Sequence, residues 1–300
     1  MRIAVLSDTI YPTPWAWGHG LGRAVFNVCT ELIARGHTVS LYGLLGSRLP
    51  GGNVYTTPDN TPNGEALLMA DITARQAEYD VALDAGHTHT LAHAQPLPTI
   101  AWFQDRASAK AHNAVFVSKD QRSYVDLPGI VVRNGVRIDE FTLYDQRVSR
   151  HMIFLGSEIW HKGLKDAERI AEIAGRKLRA YGSGCPDGMI KDRDKVQALQ
   201  YACVCLCPYS IDAGPLVPLE AMACGTPVVG YDKGALPEYV QPPGGYLGDT
   251  KYGLAALIDL AESLKPSDVR SWVIDNRFTA ARQGKEMEEA CIRLLDGDRW

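Results

Sequence analysis

Short apolar runs alternate with amphipathic stretches along nearly the whole chain. "RIAVLS" at the start reads as a buried strand. "LGRAVFNVCTELIARGH" follows, with Val25, Val28, Leu32 and Ile33 at helical spacing and a stop at Gly36. "TVSLYGLL" predicts the next strand and "GEALLMADITARQAEYD" the next helix. "VALDAG", "TIAWFQD", "NAVFVS" and "GIVVRNGV" predict short strands, with loops or helices between. After a polar stretch at 142–150 the pattern restarts: "HMIFLG" strand, "KGLKDAERIAEIAG" helix, "KLRAYGSG" strand, "DKVQALQYA" helix, "CVCLCP" strand, "LVPLEAMACG" helix, "TPVVGY" strand. Strands alternating with helices imply parallel sheets covered on both faces. Two such series predict an α/β protein of two Rossmann-like domains, with the linker near 136–150. Ligands of such sheets sit at the C-terminal ends of the strands, and there this chain carries its unusual residues.

Composition narrows the classes. Three hundred residues suit two domains. Apolar content of 46% and charged content of 22% are those of an ordinary globular chain. A formal charge of −4, without long basic blocks, argues against duplex DNA as the main partner. Seven cysteines show no paired spacing. Cys203, Cys205 and Cys207 alternate on one face of a strand and read as core thiols, which points to a reducing cytoplasm. "MRIAVLSDTIYP" is too short in apolar residues for a signal peptide, and no run approaches a membrane span.

The chemistry concentrates in "IDAGPLVPLEAMACGTPVVGYDKGALPEYV". Asp212 and Glu220 bracket an apolar run; Pro218 stands in the first turn of a short helix and Gly225 stops it. The loop before that helix, with Gly214, Leu216 and Val217, aims backbone N–H groups beyond the strand end. That is an anion site suited to a diphosphate. Glu220 can accept two hydroxyl hydrogen bonds and Asp212 faces the same space; the bland alternative is a buried helix with incidental acids. In "GHGLGR", Gly20 lets backbone approach a ligand. Tyr11, Trp15 and Trp17 beside it offer aromatic faces to sugar rings, or else pack a core. His89 and His93 stand four apart without a third ligand, so polar interface histidines are the better reading and no metal is expected.

The stretch from Gly214 resembles the signature of family-4 glycosyltransferases, also called glycosyl transferases group 1: a Glu, seven residues, then E-A-M-A-C-G-T-P-V-V and a later G-x-x-P-E. "HTVSLYG", "VVRNGVRIDEF" and "FLGSEIWHKGLKDA" resemble further family segments, so the likeness spans most of the chain. It implies the GT-B fold, two Rossmann-like domains facing each other across a cleft. The N-terminal domain, 1–145, would bind acceptor and 146–272 the nucleotide sugar; a helix within 273–300 would cross back. It implies a hexosyltransferase-type enzyme that retains anomeric configuration, has a UDP-sugar as favoured donor and needs no metal or other cofactor. By the same resemblance Glu220 matches a ribose ligand and Asp212 a donor-sugar ligand, one methylene shorter than the family's Glu, or ~1.5 Å. Lys162 matches a diphosphate clamp, and Gly20 a loop glycine near the donor. Gly182 and Gly184 in "YGSGCPDG" match a loop beside the base. Gln104 falls near a His close to the sugar. Ser157 stands where an Arg is expected and Pro215 where a Gly is; Arg133 or Arg137 is the substitute source of charge.

The acceptor is open: a glycan, a lipid-linked sugar, a small molecule or modified DNA, the last disfavoured by the acidic balance. A degenerate, non-catalytic nucleotide-sugar-binding protein and a nucleotide-sugar epimerase are the other classes.

Overall fold

The computed structural model describes residues 1–104, 111–125, 127–146, 149 and 151–300. Residues 1–134 and 280–300 form one compact unit, and 135–279 the other.

In the first unit the strands are β1 (Arg2–Leu6), β2 (Thr38–Leu44), β3 (Asn53–Thr57), β4 (Val81–Asp84), β5 (Thr99–Phe103), β6 (Ala114–Phe116) and β7 (Gly129–Val131). The helices are α1 (Gly20–Ala34), α2 (Pro62–Ala74), α3 (Thr90–Ala94) and α4 (Lys119–Ser123). All strand pairs are parallel, in the order β3-β2-β1-β4-β5-β6-β7. Continuous apolar runs are what a sheet buried on both faces requires: Ile3, Ala4, Val5 and Leu6 have no exposed surface, nor has Trp102. Val25, Val28 and Leu32 lay one face of α1 into this core, each contributing roughly 1.5–3 kcal/mol on full burial.

The second unit holds β8 (Met152–Leu155), α5 (Leu164–Ile173), β9 (Leu178–Tyr181), α6 (Asp192–Tyr201), β10 (Val204–Cys207), α7 (Leu216–Ala223), β11 (Val228–Tyr231), α8 (Leu236–Tyr239), β12 (Gly245–Gly248), α9 (Lys251–Glu262) and α10 (Pro266–Asp275). Its parallel sheet runs β12-β11-β10-β8-β9. The alternating cysteines of β10 are buried free thiols, as are all seven in the chain; burial pushes Cys29 up to about 12, which makes it inert. The chain enters and leaves this unit side by side: Val136 N donates to Phe278 O (3.0 Å).

The last helix, α11 (Ala280–Leu295), packs on α1 within the first unit. Gly284 makes the approach possible, since a Cβ there would lie 2.4 Å from Glu31 Cβ. Among the described residues no helix is long and apolar enough to cross a membrane.

Candidate functional site

The strand order of the second unit reverses between β8 and β10, so the loops leaving these strands diverge and open a crevice at their C-terminal ends. Lys162 lies on the first loop and Asp212 on the second, and Lys162 Nζ donates to Asp212 Oδ2 across the gap. The ammonium also lies 4.7 Å from the centroid of the Tyr209 ring. Gly163 holds the lysine loop against β10: its φ of +76° suits glycine, and a Cβ would meet Pro208 O at 2.3 Å. Asp212 Oδ1 accepts from Gly214 N (3.2 Å), which tightens the turn into α7.

Pro215 is the N-cap of α7 and no side chain caps it. The first-turn N–H groups of Leu216 and Val217 therefore keep their pull on an anion. Glu220, on the next turn, is only 3% exposed. Its Oε1 accepts from Lys195 Nζ (2.9 Å), which also reaches Asp192 Oδ1 (3.2 Å). Nothing local marks Lys195, because "DKVQALQ" looks like a solvated helix face; the packing of α6 on α7, with the Phe141 ring centroid 5.3 Å from its ammonium, buries it. Arg270 was missed as well. From α10 its guanidinium donates to Ala223 O at the end of α7, to Phe141 O (2.5 Å) and to Ile138 O (3.0 Å), and nothing local in "PSDVRSW" marks that role.

Ser157 is exposed on the loop after β8, and its carbonyl accepts from Ile159 N (2.8 Å). Gly182 and Gly184 bring the loop after β9 against it. A Cβ on Gly182 would lie 2.0 Å from Gly156 O, and one on Gly184 2.8 Å from Glu158 Cβ. Contact between the two loops accounts for both glycines. Arg137 pairs with Asp139 and Glu140, each at 2.9 Å.

The remaining candidates lie in the first unit. Tyr11 stacks on Trp15 with ring centroids 4.1 Å apart, and His19 meets the Tyr11 ring edge-on at 5.0 Å. Trp17 is 38% exposed. Gly20 opens α1 behind the N-cap His19, with open space where a Cβ would sit. Burial lowers the His19 pKa, partly offset by Asp8, whose Oδ2 lies 3.7 Å from Nδ1. Gln104 joins a polar chain: its Oε1 accepts from Asn134 Nδ2 (3.4 Å), and Asn134 Oδ1 accepts from Gln283 Nε2 (2.9 Å) on α11. At the end of β4, the fully buried Asp84 accepts from Ala92 N (2.8 Å) and Gly86 N (3.1 Å). Loss of water still outweighs these bonds, and its pKa rises to about 7. His89 is buried against Phe103, with centroids 4.2 Å apart, and His93 is exposed. Among the described residues no three His, Cys, Asp or Glu side chains are grouped to hold a metal ion.

Residues 188–273, all within the second unit, match the family model for glycosyl transferases group 1. AviGT4, a glycosyltransferase of avilamycin A biosynthesis, superimposes with a TM-score of 0.83 at 22% identity, over 100% of this chain and 99% of its own. Sucrose-phosphate synthase from Thermosynechococcus elongatus gives 0.79 at 15% identity, over 99% and 100%. Anabaena Alr3699/HepE, solved with UDP and glucose, gives 0.76 at 14%, over 96% and 98%. No curated protein matches the chain in a sequence comparison. The fold is that of the GT-B glycosyltransferases, and the matched segment is similar to the glycosyl transferases group 1 model. The group 1 signature lies on α7 and the strands around it.

Proposed function

We propose that the chain transfers a sugar from a nucleoside-diphosphate donor, UDP-sugar foremost, to an acceptor hydroxyl with retention of anomeric configuration. One observation carries the reading: the α7 N-terminus, Lys162–Asp212 and Lys195–Glu220 occupy the strand-order reversal of one sheet. In this reading the diphosphate lies over the Leu216 and Val217 N–H groups. Lys162 turns from Asp212 to the phosphate, and the released carboxylate takes hydroxyls of the transferred sugar. Glu220, held in place by Lys195, takes the ribose. The anomeric carbon loses its bond to the β-phosphate oxygen as it gains one to the acceptor oxygen. The departing phosphate accepts the acceptor's proton, while helix dipole and ammonium stabilise its growing charge. The UDP complexes of HepE support the choice of nucleotide. Tyr11, Trp15 and Trp17 are the acceptor platform in the first unit, and no metal takes part.

A non-catalytic binding protein is the competing reading. It is favoured by the two ion pairs, which satisfy the donor-gripping groups with one another, and by Ser157. A panel of UDP-, GDP- and ADP-sugars with and without sugar and lipid-linked acceptors decides. Nucleoside diphosphate released in step with a new glycoside is the expected result; donor binding without release under any acceptor would establish the binding protein.

A further inference from the structure

We infer that Lys233 is a ligand of the donor diphosphate and supplies the second cation of the site. The inference rests on the donor reading above and adds to it a residue outside the ion pairs that define it.

The charge count at the C-terminal edge of the second sheet leaves the site short of cations. Lys162 is committed to Asp212, Lys195 to Glu220 and Asp192, and Lys251 to Asp166. Arg137 is held by Asp139 and Glu140. The Lys162 and Lys251 pairs are neutral, the Lys195 and Arg137 groups each hold two carboxylates to one cation, and a diphosphate brings several further negative charges. Lys233, on the loop after β11, is exposed and makes no ion pair among the described residues. Its Nζ rests 5.1 Å from the centroid of the Tyr231 ring. That contact is weak at an exposed site, about 0.5–1 kcal/mol, and an arriving phosphate outcompetes it. Asp166 already holds Lys251 (2.8 Å) and the Tyr231 hydroxyl (2.7 Å).

The backbone beneath Lys233 is fixed where it matters. Its N–H donates to Tyr231 O (2.9 Å), and Asp232 N to Gly248 O (3.1 Å). Ala235 N donates to Asp212 O (3.1 Å). Gly234, at φ +58°, lies so close that a Cβ would be 3.2 Å from Asp212 N and O. The loop bearing Lys233 thus abuts the loop bearing Asp212, with the α7 N-terminus three residues further on. A rooted backbone with a free ammonium on a flexible stem can follow a phosphate through binding and release.

The test is calorimetric titration of UDP, with uridine followed by ligand-observed NMR, on wild type, Lys233→Met, Lys233→Arg and Lys165→Met. Lys165 is an exposed lysine in the first turn of α5 and serves as the control. The expected result is an about tenfold loss of UDP affinity in Lys233→Met, with uridine affinity and melting temperature unchanged. Lys233→Arg restores most of the loss and Lys165→Met shows none. UDP affinity unchanged in Lys233→Met, or lowered equally in Lys165→Met, overturns the inference and leaves the donor reading standing. No UDP binding by the wild type overturns both.

Discussion

Glu220 and Lys195 share one buried ion pair, so substitutions at Glu220 separate two roles. Glu220→Ala leaves the buried Lys195 ammonium with Asp192 alone, so urea unfolding is expected to show a loss below the roughly 3–5 kcal/mol of a fully unpaired buried charge. Glu220→Gln keeps the volume and one acceptor, so the fold should survive while UDP affinity drops at least about tenfold, as for loss of a hydrogen bond to a charged group. Asp212→Ala is expected to behave differently. It frees Lys162, so UDP affinity is kept or rises, while donor kcat/KM falls. Equal UDP affinity for wild type and Glu220→Gln would remove the ribose role. Asp84 gives a prediction for pH. Its carboxyl is raised in the folded chain to about 7, against about 3.9 unfolded. The folded state therefore holds the proton more tightly, and Asp84 makes stability fall as pH rises across that interval. Urea midpoints at pH 4 and 7 should fall further in wild type than in Asp84→Asn. An identical pH dependence in both would mean that Asp84 ionises normally.

At the scale of elements, strand and helix order was legible because both sheets are buried on two faces, which writes each central strand as an unbroken apolar run. The elements that escaped are the edge strands β3 and β12 and the helices α8, α9 and α10. β3 buries only the last residue of "NVYTT" and β12 is "GYLG", half-buried and glycine-ended, so neither strand carries the pattern. The candidate site was legible in the same uneven way. Asp212, Glu220 and Lys162 sit in local motifs. Lys195, Arg270 and Lys233 depend on contacts between segments distant in sequence. Two glycines test the elements themselves. Gly163→Ala forces a side chain at φ +76° into Pro208 O and should cost about 1–3 kcal/mol. The loop that carries Lys162 then shifts, and UDP affinity falls with stability. Gly284→Leu wedges α11 off α1 and should destabilise the first unit by about 1–3 kcal/mol, with little effect on UDP affinity. The reverse assignment, UDP lost with Gly284→Leu and kept with Gly163→Ala, would contradict the division of labour between the units.

For the whole molecule, the proposed donor reading has cationic side chains and a helix terminus balance the diphosphate in place of a metal. Chelator is therefore expected to leave donor turnover within about threefold, or about 0.65 kcal/mol in barrier; turnover abolished by EDTA and restored by Mn²⁺ would refute that mechanism. UDP at about 100 times its dissociation constant should stabilise the chain by about 2.7 kcal/mol, read as a higher melting temperature. A crystal structure of the chain with UDP shows directly where the nucleotide lies. The ribose hydroxyls are expected within hydrogen-bonding distance of Glu220, and the diphosphate over the Leu216 and Val217 N–H groups beside Lys162. UDP bound away from α7, with the Lys162–Asp212 and Lys195–Glu220 pairs undisturbed, would contradict the donor reading.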